Sequence, residues 1–246
     1  MTRRAKKYWL GCLLAISCSS LWADSTADKA EPVQKVTTQE KQTTMTPKRA
    51  LEKLKEGNQR FLSNQLTQRN YLSQAKQASY GQFPWAVVLN CMDSRSVPEF
   101  IFDQGLADLF TLRVAGNVLN DDILGSIEYA TQVVGAKLIV VMGHTSCGAV
   151  GGACQGIKLG HLDDVLHKIQ PSVGPAKKET GIDNCTDPAL VNAIAKLNAM
   201  HVANEISDKS PIVHDLIQKN QIGIVTAMHN IKTGEVTFFE ETNLIH

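Results

Sequence analysis

PWAVVLNCMDSRSVPEFI, residues 84–101, decides the fold. Its first half is an unbroken apolar run, Trp85, Ala86, Val87, Val88 and Leu89, opened by Pro84. A run of that length beside a turn-former reads as a strand buried on both faces, as parallel sheets require. Directly behind it stand Cys91, Asp93 and Arg95, a thiol, a carboxylate and a guanidinium at every second position. If the backbone stays extended, all three point to one side. Packing has no use for that arrangement at a strand end; chemistry does.

The same pattern repeats outward from this stretch. Apolar runs at 108–114, 137–142 and 223–228 read as further strands. Helical spacing falls near 97–103, 121–134, 146–155, 188–207 and 211–220. Strands alternating with helices predict an α/β fold with a mostly parallel central sheet covered by helices on both faces. Lys232-Thr233-Gly234 reads as a turn into a last strand, so the expected sheet has about four parallel strands and a C-terminal antiparallel edge strand. The domain is expected over 46–246, opening at Thr46-Pro47 with a cap residue and a proline at the first helical position.

Two segments precede that domain. MTRRAKKYWLGCLLAISCSSLWADST opens with Arg3, Arg4, Lys6 and Lys7, continues with an apolar stretch from Tyr8 to Cys18, and offers small-residue cleavage after Leu21-Trp22-Ala23. That is the layout of a secretory signal peptide over 1–23, and the apolar stretch is short for a membrane span. The expected location is therefore periplasmic or secreted. Alternatives are an uncleaved anchor, twin-arginine export through Arg3-Arg4, or a lipoprotein box at Ala15–Cys18 with a lipid anchor on Cys18. Residues 24–45 are rich in Thr, Gln, Lys and Glu, too poor in apolar surface to offset their ordering entropy, and are expected to form a flexible tether. A net charge of +1 over 246 residues gives no reason to expect nucleic acid or an anionic membrane as partner.

In open parallel sheets, ligands sit beyond the carboxyl ends of the strands. The first strand ends at Cys91, and the third ends at Gly143-His144 before the turn GHTSCGAVGGAC. Cys91, His144 and Cys147 thus arrive at one sheet edge. Two thiolates and an imidazole form a set that holds Zn2+ tetrahedrally and leaves one position for water. Cys147 also gains from the positive end of the helix it opens. Separately, each half is weak: a buried Cys is commonly just a small apolar residue. For Asp93 and Arg95 three roles stand open. They can brace a turn as an ion pair, Asp93 can accept from a metal-bound water while Arg95 holds it, or Asp93 can itself close the metal site.

Cys91-Met92-Asp93-Ser94-Arg95 together with His144-Thr145-Ser146-Cys147-Gly148 closely resembles the β-class carbonic anhydrases, over roughly residues 46–243. Arg113-Val114-Ala115-Gly116-Asn117 resembles that family's Arg-Asn-Ala-Gly-Asn turn, with Val114 a departure. The resemblance implies one Zn2+ per chain on Cys91, His144 and Cys147, and reversible hydration of carbon dioxide to bicarbonate and a proton. Hydroxide at the zinc would be oriented by the dyad of Asp93 and Arg95. Gln82, Phe110 and Tyr129 match substrate-pocket residues of the family's open-site branch, and the Gly148 amide would lie close to substrate. Read without the resemblance, Gln82 is a surface amide and the two rings are core. The family also implies a homodimer or dimer of dimers with the active site near the interface.

Rival readings are a carbonyl sulfide or carbon disulfide hydrolase on the same fold and a non-catalytic exported zinc-binding protein, which has no need of Asp93 and Arg95. His161, His167, His201, His214 and His229 offer no distinguishable proton shuttle and read as surface or helix-face residues. Cys154 and Cys185 remain; they pair in an oxidising compartment or stay separate thiols.

Overall fold

The computed structural model describes residue 33 and residues 35–244. Five strands form one sheet: β1 (Ala86–Asn90), β2 (Leu109–Arg113), β3 (Leu138–His144), β4 (Gly223–His229) and β5 (Val236–Leu244). Their order is β2-β1-β3-β4-β5, with β5 antiparallel and every other pairing parallel. The expected α/β architecture and its antiparallel edge are therefore observed.

Strand alternation splits the apolar residues between two cores. Val87, Leu89, Ile139, Val141 and Ile224 pack against α9 (Pro188–Lys209) and α10 (Pro211–Gln218). Ala86, Val88, Leu138, Val140 and Val225 face Ala50, Leu51 and Leu54 of α2 (Pro47–Leu62). Helix α2 starts as the sequence predicts, with the Thr46 side chain accepting from Arg49 N and Pro47 in its first turn. A third core lies under α6 (Gly148–Gln155), α7 (Leu162–Ile169) and α8 (Val173–Thr180), around Val150, Leu166, Ile169 and Ile194. Among the described residues, no helix is long and apolar enough to cross a membrane.

The strand order positions the site. From β1 the chain moves to β2 on one side, then returns to place β3 on the other. The direction of winding thus reverses between β1 and β3, and the crevice of an open α/β sheet opens at the carboxyl ends of such a pair.

The tether expected over 24–45 differs from the structure in its described part. Residues Gln39–Thr43 form a helix, α1, and the segment is tied down by polar groups. Buried Thr37 donates through Oγ1 to Asp108 Oδ1 at 2.5 Å, and buried Gln42 donates through Nε2 to Pro84 O at 2.7 Å. Hydrogen bonds to the body satisfy side chains that composition alone scores as solvent-seeking. The segment expected to be a signal peptide, residues 1–23, lies outside the described residues.

Cys154, in α6, is disulfide-bonded to Cys185 in the loop before α9, with Cα atoms 5.5 Å apart. The bridge closes a sequence separation of 31 residues. Constraining a loop of that size in the unfolded chain contributes about 3–4 kcal/mol in the chain-entropy account. Replacing both cysteines with serine is accordingly expected to lower unfolding stability by about that amount in urea titrations, with the m-value showing how far the unfolded state expands.

Candidate active site

Each metal-ligand candidate is placed by a different part of the fold. Cys91 follows the last residue of β1, His144 is the last residue of β3, and Cys147 is the N-cap of α6. All three are buried, and their ligand atoms lie within 4.8 Å of one another, the two sulfurs 3.9 Å apart. The imidazole orientation is fixed by chemistry. Nδ1 lies 2.9 Å from the Thr145 carbonyl oxygen, which can only accept, so Nδ1 carries the proton. Nε2 is then a bare lone pair, buried and without a hydrogen-bond partner among the described residues. An orphaned acceptor aimed at two sulfurs is costly unless a cation completes it. Two thiols and an imidazole suit a soft or borderline metal and not Mg2+ or Ca2+. The group can hold a metal ion.

The metal-free thiols are asymmetric. The Cys147 thiol donates to Cys91 and holds the Cys91 pKa well below the thiol range despite burial, helped by His144 and by the Gly116 N–H at 3.3 Å. That thiolate and burial together push Cys147 up. Burial pulls His144 down, yet the Cys91 thiolate outweighs it and the imidazole is raised overall.

The surrounding turns are anchored as closely as the ligands. Gly116 adopts a left-handed conformation, φ 67°, and an added Cβ would meet Ile169 Cδ1 at 2.6 Å. Both constraints demand glycine there. Its carbonyl accepts from buried Asn198 Nδ2 at 2.9 Å, so α9 acts on Cys91 through Gly116. Ser146, between His144 and Cys147, is also left-handed at φ 54°, and its N–H donates to Asn192 Oδ1. Arg113 ties the other half: Nη2 donates to Asp93 O at 2.6 Å and Nε to Cys91 O at 3.3 Å.

Beyond Cys91 the backbone does not stay extended; residues 94–95 form a turn. Asp93 and Arg95 meet because the turn folds one onto the other, not because they alternate along a strand. Asp93 Oδ1 accepts from Arg95 N at 3.0 Å and Nε at 2.9 Å, while Oδ2 accepts from Arg95 Nη2 at 2.7 Å. This bidentate pair holds the Asp93 carboxyl far below the usual carboxylate range, against the opposing effect of burial. Oδ2 also lies 3.9 Å from His144 Nε2, so the carboxylate stands at the lip of the ligand group.

This arrangement is shared with known proteins. The sequence model of the family described as carbonic anhydrase matches residues 86–236, more than half of the chain. A carbonic anhydrase of Mycolicibacterium smegmatis is 41% identical over 199 residues, covering 77% of this chain and 92% of that protein. The chain belongs to the carbonic anhydrase family. Carbonic anhydrase 2 of Mycobacterium tuberculosis is 46% identical over 134 residues, 52% of this chain. The chain spans 64% of that relative's length. The β-carbonic anhydrase CafA of Aspergillus fumigatus superposes with a TM-score of 0.63 at 24% identity, covering 78% of this chain and 89% of that one, and one of two tetrameric β-carbonic anhydrases from Sordaria macrospora with 0.62. The fold is that of the β class.

Within this carbonic anhydrase fold, the pocket residues inferred by resemblance are not gathered around the ligands of their own chain. Phe110 pairs in register with Val87, four residues before Cys91, a separation of about 13 Å along the strand. Phe110 and half-exposed Tyr129 meet edge to face, centroids 6.4 Å apart, and line a separate cavity of about 590 Å³ with Asp121, Asp122 and Ser126. Gln82 is exposed ahead of β1, at the amino end of the sheet. Gly148 is at the site, in the first turn of α6, where backbone amides lack intrahelical acceptors.

The histidines divide differently from the sequence reading. His161, His167 and His214 are exposed and His201 is partly so, but His229 is buried at the end of β4. Its register partner is His144. The signal for it was its place at the end of an apolar strand run, the same place His144 holds in β3.

Proposed function

We propose that this chain catalyses the reversible hydration of carbon dioxide to bicarbonate and a proton, with Zn2+ held by Cys91, His144 and Cys147. Bound there, Zn2+ supplies Lewis acidity and makes water a nucleophile near neutral pH. The observation that carries the reading is the Asp93 carboxylate, fixed by Arg95 and presented 3.9 Å from His144 Nε2. A storage site needs no such acceptor. Asp93 Oδ2 accepts an O–H of the attacking water and so turns its lone pair toward the carbon of carbon dioxide. Arg95 keeps that carboxylate ionised and oriented, and the Gly148 N–H donates to an oxygen of the developing bicarbonate. The product proton leaves to buffer. Because both Asp93 oxygens are engaged by Arg95, the open arrangement with three protein ligands is favoured: closing the site onto Asp93 requires breaking the bidentate pair.

The chain acts as a homodimer or dimer of dimers. Among the described residues, strand β2 has no partner on its outer side, and folded proteins normally cover such a sheet edge. Exposed Phe100 and Leu106 lie on the segment leading into it. In this reading, Gln82, Phe110 and Tyr129 complete the pocket of the neighbouring copy. The chain is also exported, to the periplasm or beyond; the Cys154–Cys185 disulfide supports this, since such bridges persist in oxidising compartments.

Stopped-flow carbon dioxide hydration with a pH indicator, on zinc-loaded protein from about pH 6.5 to 9, tests the reading. Expected is kcat/KM within the usual enzyme range of about 10⁴–10⁸ M⁻¹s⁻¹, lost on chelation and restored by zinc. Stoichiometric zinc without hydration would overturn it in favour of sulfur-substrate hydrolysis or plain zinc binding.

A further inference from the structure

We infer that His229 is a positioning residue for the Asp93–Arg95 dyad, acting through Ser96; this rests on the catalytic reading above. Ser96 closes the turn that carries the dyad, its N–H donating to Asp93 O at 3.0 Å. Although it follows an exposed turn, Ser96 is itself only 1% exposed. Its carbonyl accepts from Asn90 Nδ2 at 2.8 Å, which ties it to the end of β1. Its hydroxyl has a different partner, His229 Nδ1 at 3.1 Å, on a strand two places away in the sheet. His229 is itself only 2% exposed.

The same residue is tied to the second half of the site. The His229 carbonyl accepts from Thr145 N at 2.9 Å, and Thr145 O in turn orients the His144 ring. One residue therefore meets the segment after His144 with its backbone and the segment after Cys91 with its side chain. Neither half can shift relative to the other without stretching a buried hydrogen bond, whose loss strands a desolvated polar group. A wobble of the turn would move Asp93 Oδ2, the acceptor whose aim the reaction depends on, and small misplacements of such groups cost rate.

The test compares His229→Leu, His229→Asn, Ser96→Ala and the double variant Ser96→Ala/His229→Leu. Asparagine keeps a polar atom close to the position of Nδ1, whereas leucine removes it. Expected for His229→Leu is a kcat lower by roughly tenfold, the low end for loss of an outer partner, with KM and bound zinc unchanged. Hydrogen–deuterium exchange of the peptide spanning residues 91–97 is expected to accelerate in parallel. His229→Asn should restore both within about threefold, and Ser96→Ala should reproduce the leucine effect from the other side. In the double variant the two losses should not add. Wild-type exchange in the leucine variant, no rescue by asparagine, or additive losses would each overturn the assignment. If His229→Leu fails to fold, Ser96→Ala carries the same comparison. Should the wild type hydrate no carbon dioxide, the catalytic reading fails, while exchange in the 91–97 peptide still decides whether His229 holds the turn.

Discussion

A Cys147→Ala variant is expected to lose tight zinc binding, and carbon dioxide hydration with it. Removing an outer partner of a metal ligand costs about 10–100-fold in affinity or activity, and removing one of three ligands costs more. Only Cys91 and His144 remain, and neither closes the site by itself. The predicted readouts are zinc content below about one tenth of wild type after dialysis at equal free metal, and a hydration rate near background. The thiol chemistry supplies a second, independent readout. In the metal-free protein Cys147 keeps its proton at neutral pH, pushed up by the Cys91 thiolate and by burial. Metal binding must expel that proton, so wild-type zinc binding releases it to buffer and weakens as pH falls. Calorimetry of the wild type at pH 7 in buffers of different ionisation enthalpy should show that proton released as zinc binds. The remaining thiol should change too. Without the Cys147 S–H, the Cys91 thiolate loses the largest cause of its depressed pKa, so its alkylation by iodoacetamide in metal-free protein should require higher pH than in wild type. Unchanged alkylation would show that the two sulfurs do not act as a pair.

What could be read from the sequence follows a physical divide. Strands such as Ala86–Asn90 and Leu138–His144 are buried along their whole length, so their residues up to the carboxyl end are apolar and stand out by composition. The ligands were legible for a related reason: Cys91 and His144 end such runs, where polar or reactive side chains serve no packing purpose. The turn at Asp93–Arg95 was legible as a pair but not in its shape, because an aspartate that accepts from the backbone two residues on folds the chain and breaks the alternation. Polar burial away from strand ends was not legible. Thr37 and Gln42 look solvent-facing until their partners, 71 and 42 residues away, are known. Nor could one chain's sequence show that Phe110 lies far from Cys91 in the same sheet, since strand register sets that distance.

The second large effect is expected from Asp93→Asn, and it separates orientation from binding. The carboxylate touches no ligand atom at bonding distance, Oδ2 standing 3.9 Å from His144 Nε2, so zinc content should equal wild type. The amide has only one acceptor oxygen. Two donors, Arg95 N and Nε, meet Oδ1, while one, Nη2, meets Oδ2, so the amide oxygen keeps the first place and the NH2 takes the second. An acceptor facing the reaction becomes a donor. Loss of one preorganised hydrogen-bonding group at a reacting centre costs about 10²–10³ in rate, and kcat/KM should fall by that much. Across about pH 6.5–9 wild-type Asp93 is ionised throughout, since Arg95 holds its pKa down, so any titration of the rate there belongs to another group and should survive in shape in the variant. Stability offers the opposite sign. A carboxyl whose folded pKa is depressed stabilises the fold above its unfolded value, near ~3.9, and loses that contribution as pH falls through the folded value. With Arg95 56% exposed, solvent screening keeps the effect small. The variant should therefore unfold slightly earlier than wild type in urea at pH 7, and the gap should narrow as pH drops below about 4. A variant that hydrates carbon dioxide at the wild-type rate with full zinc would remove Asp93 from the reaction and leave it a turn brace.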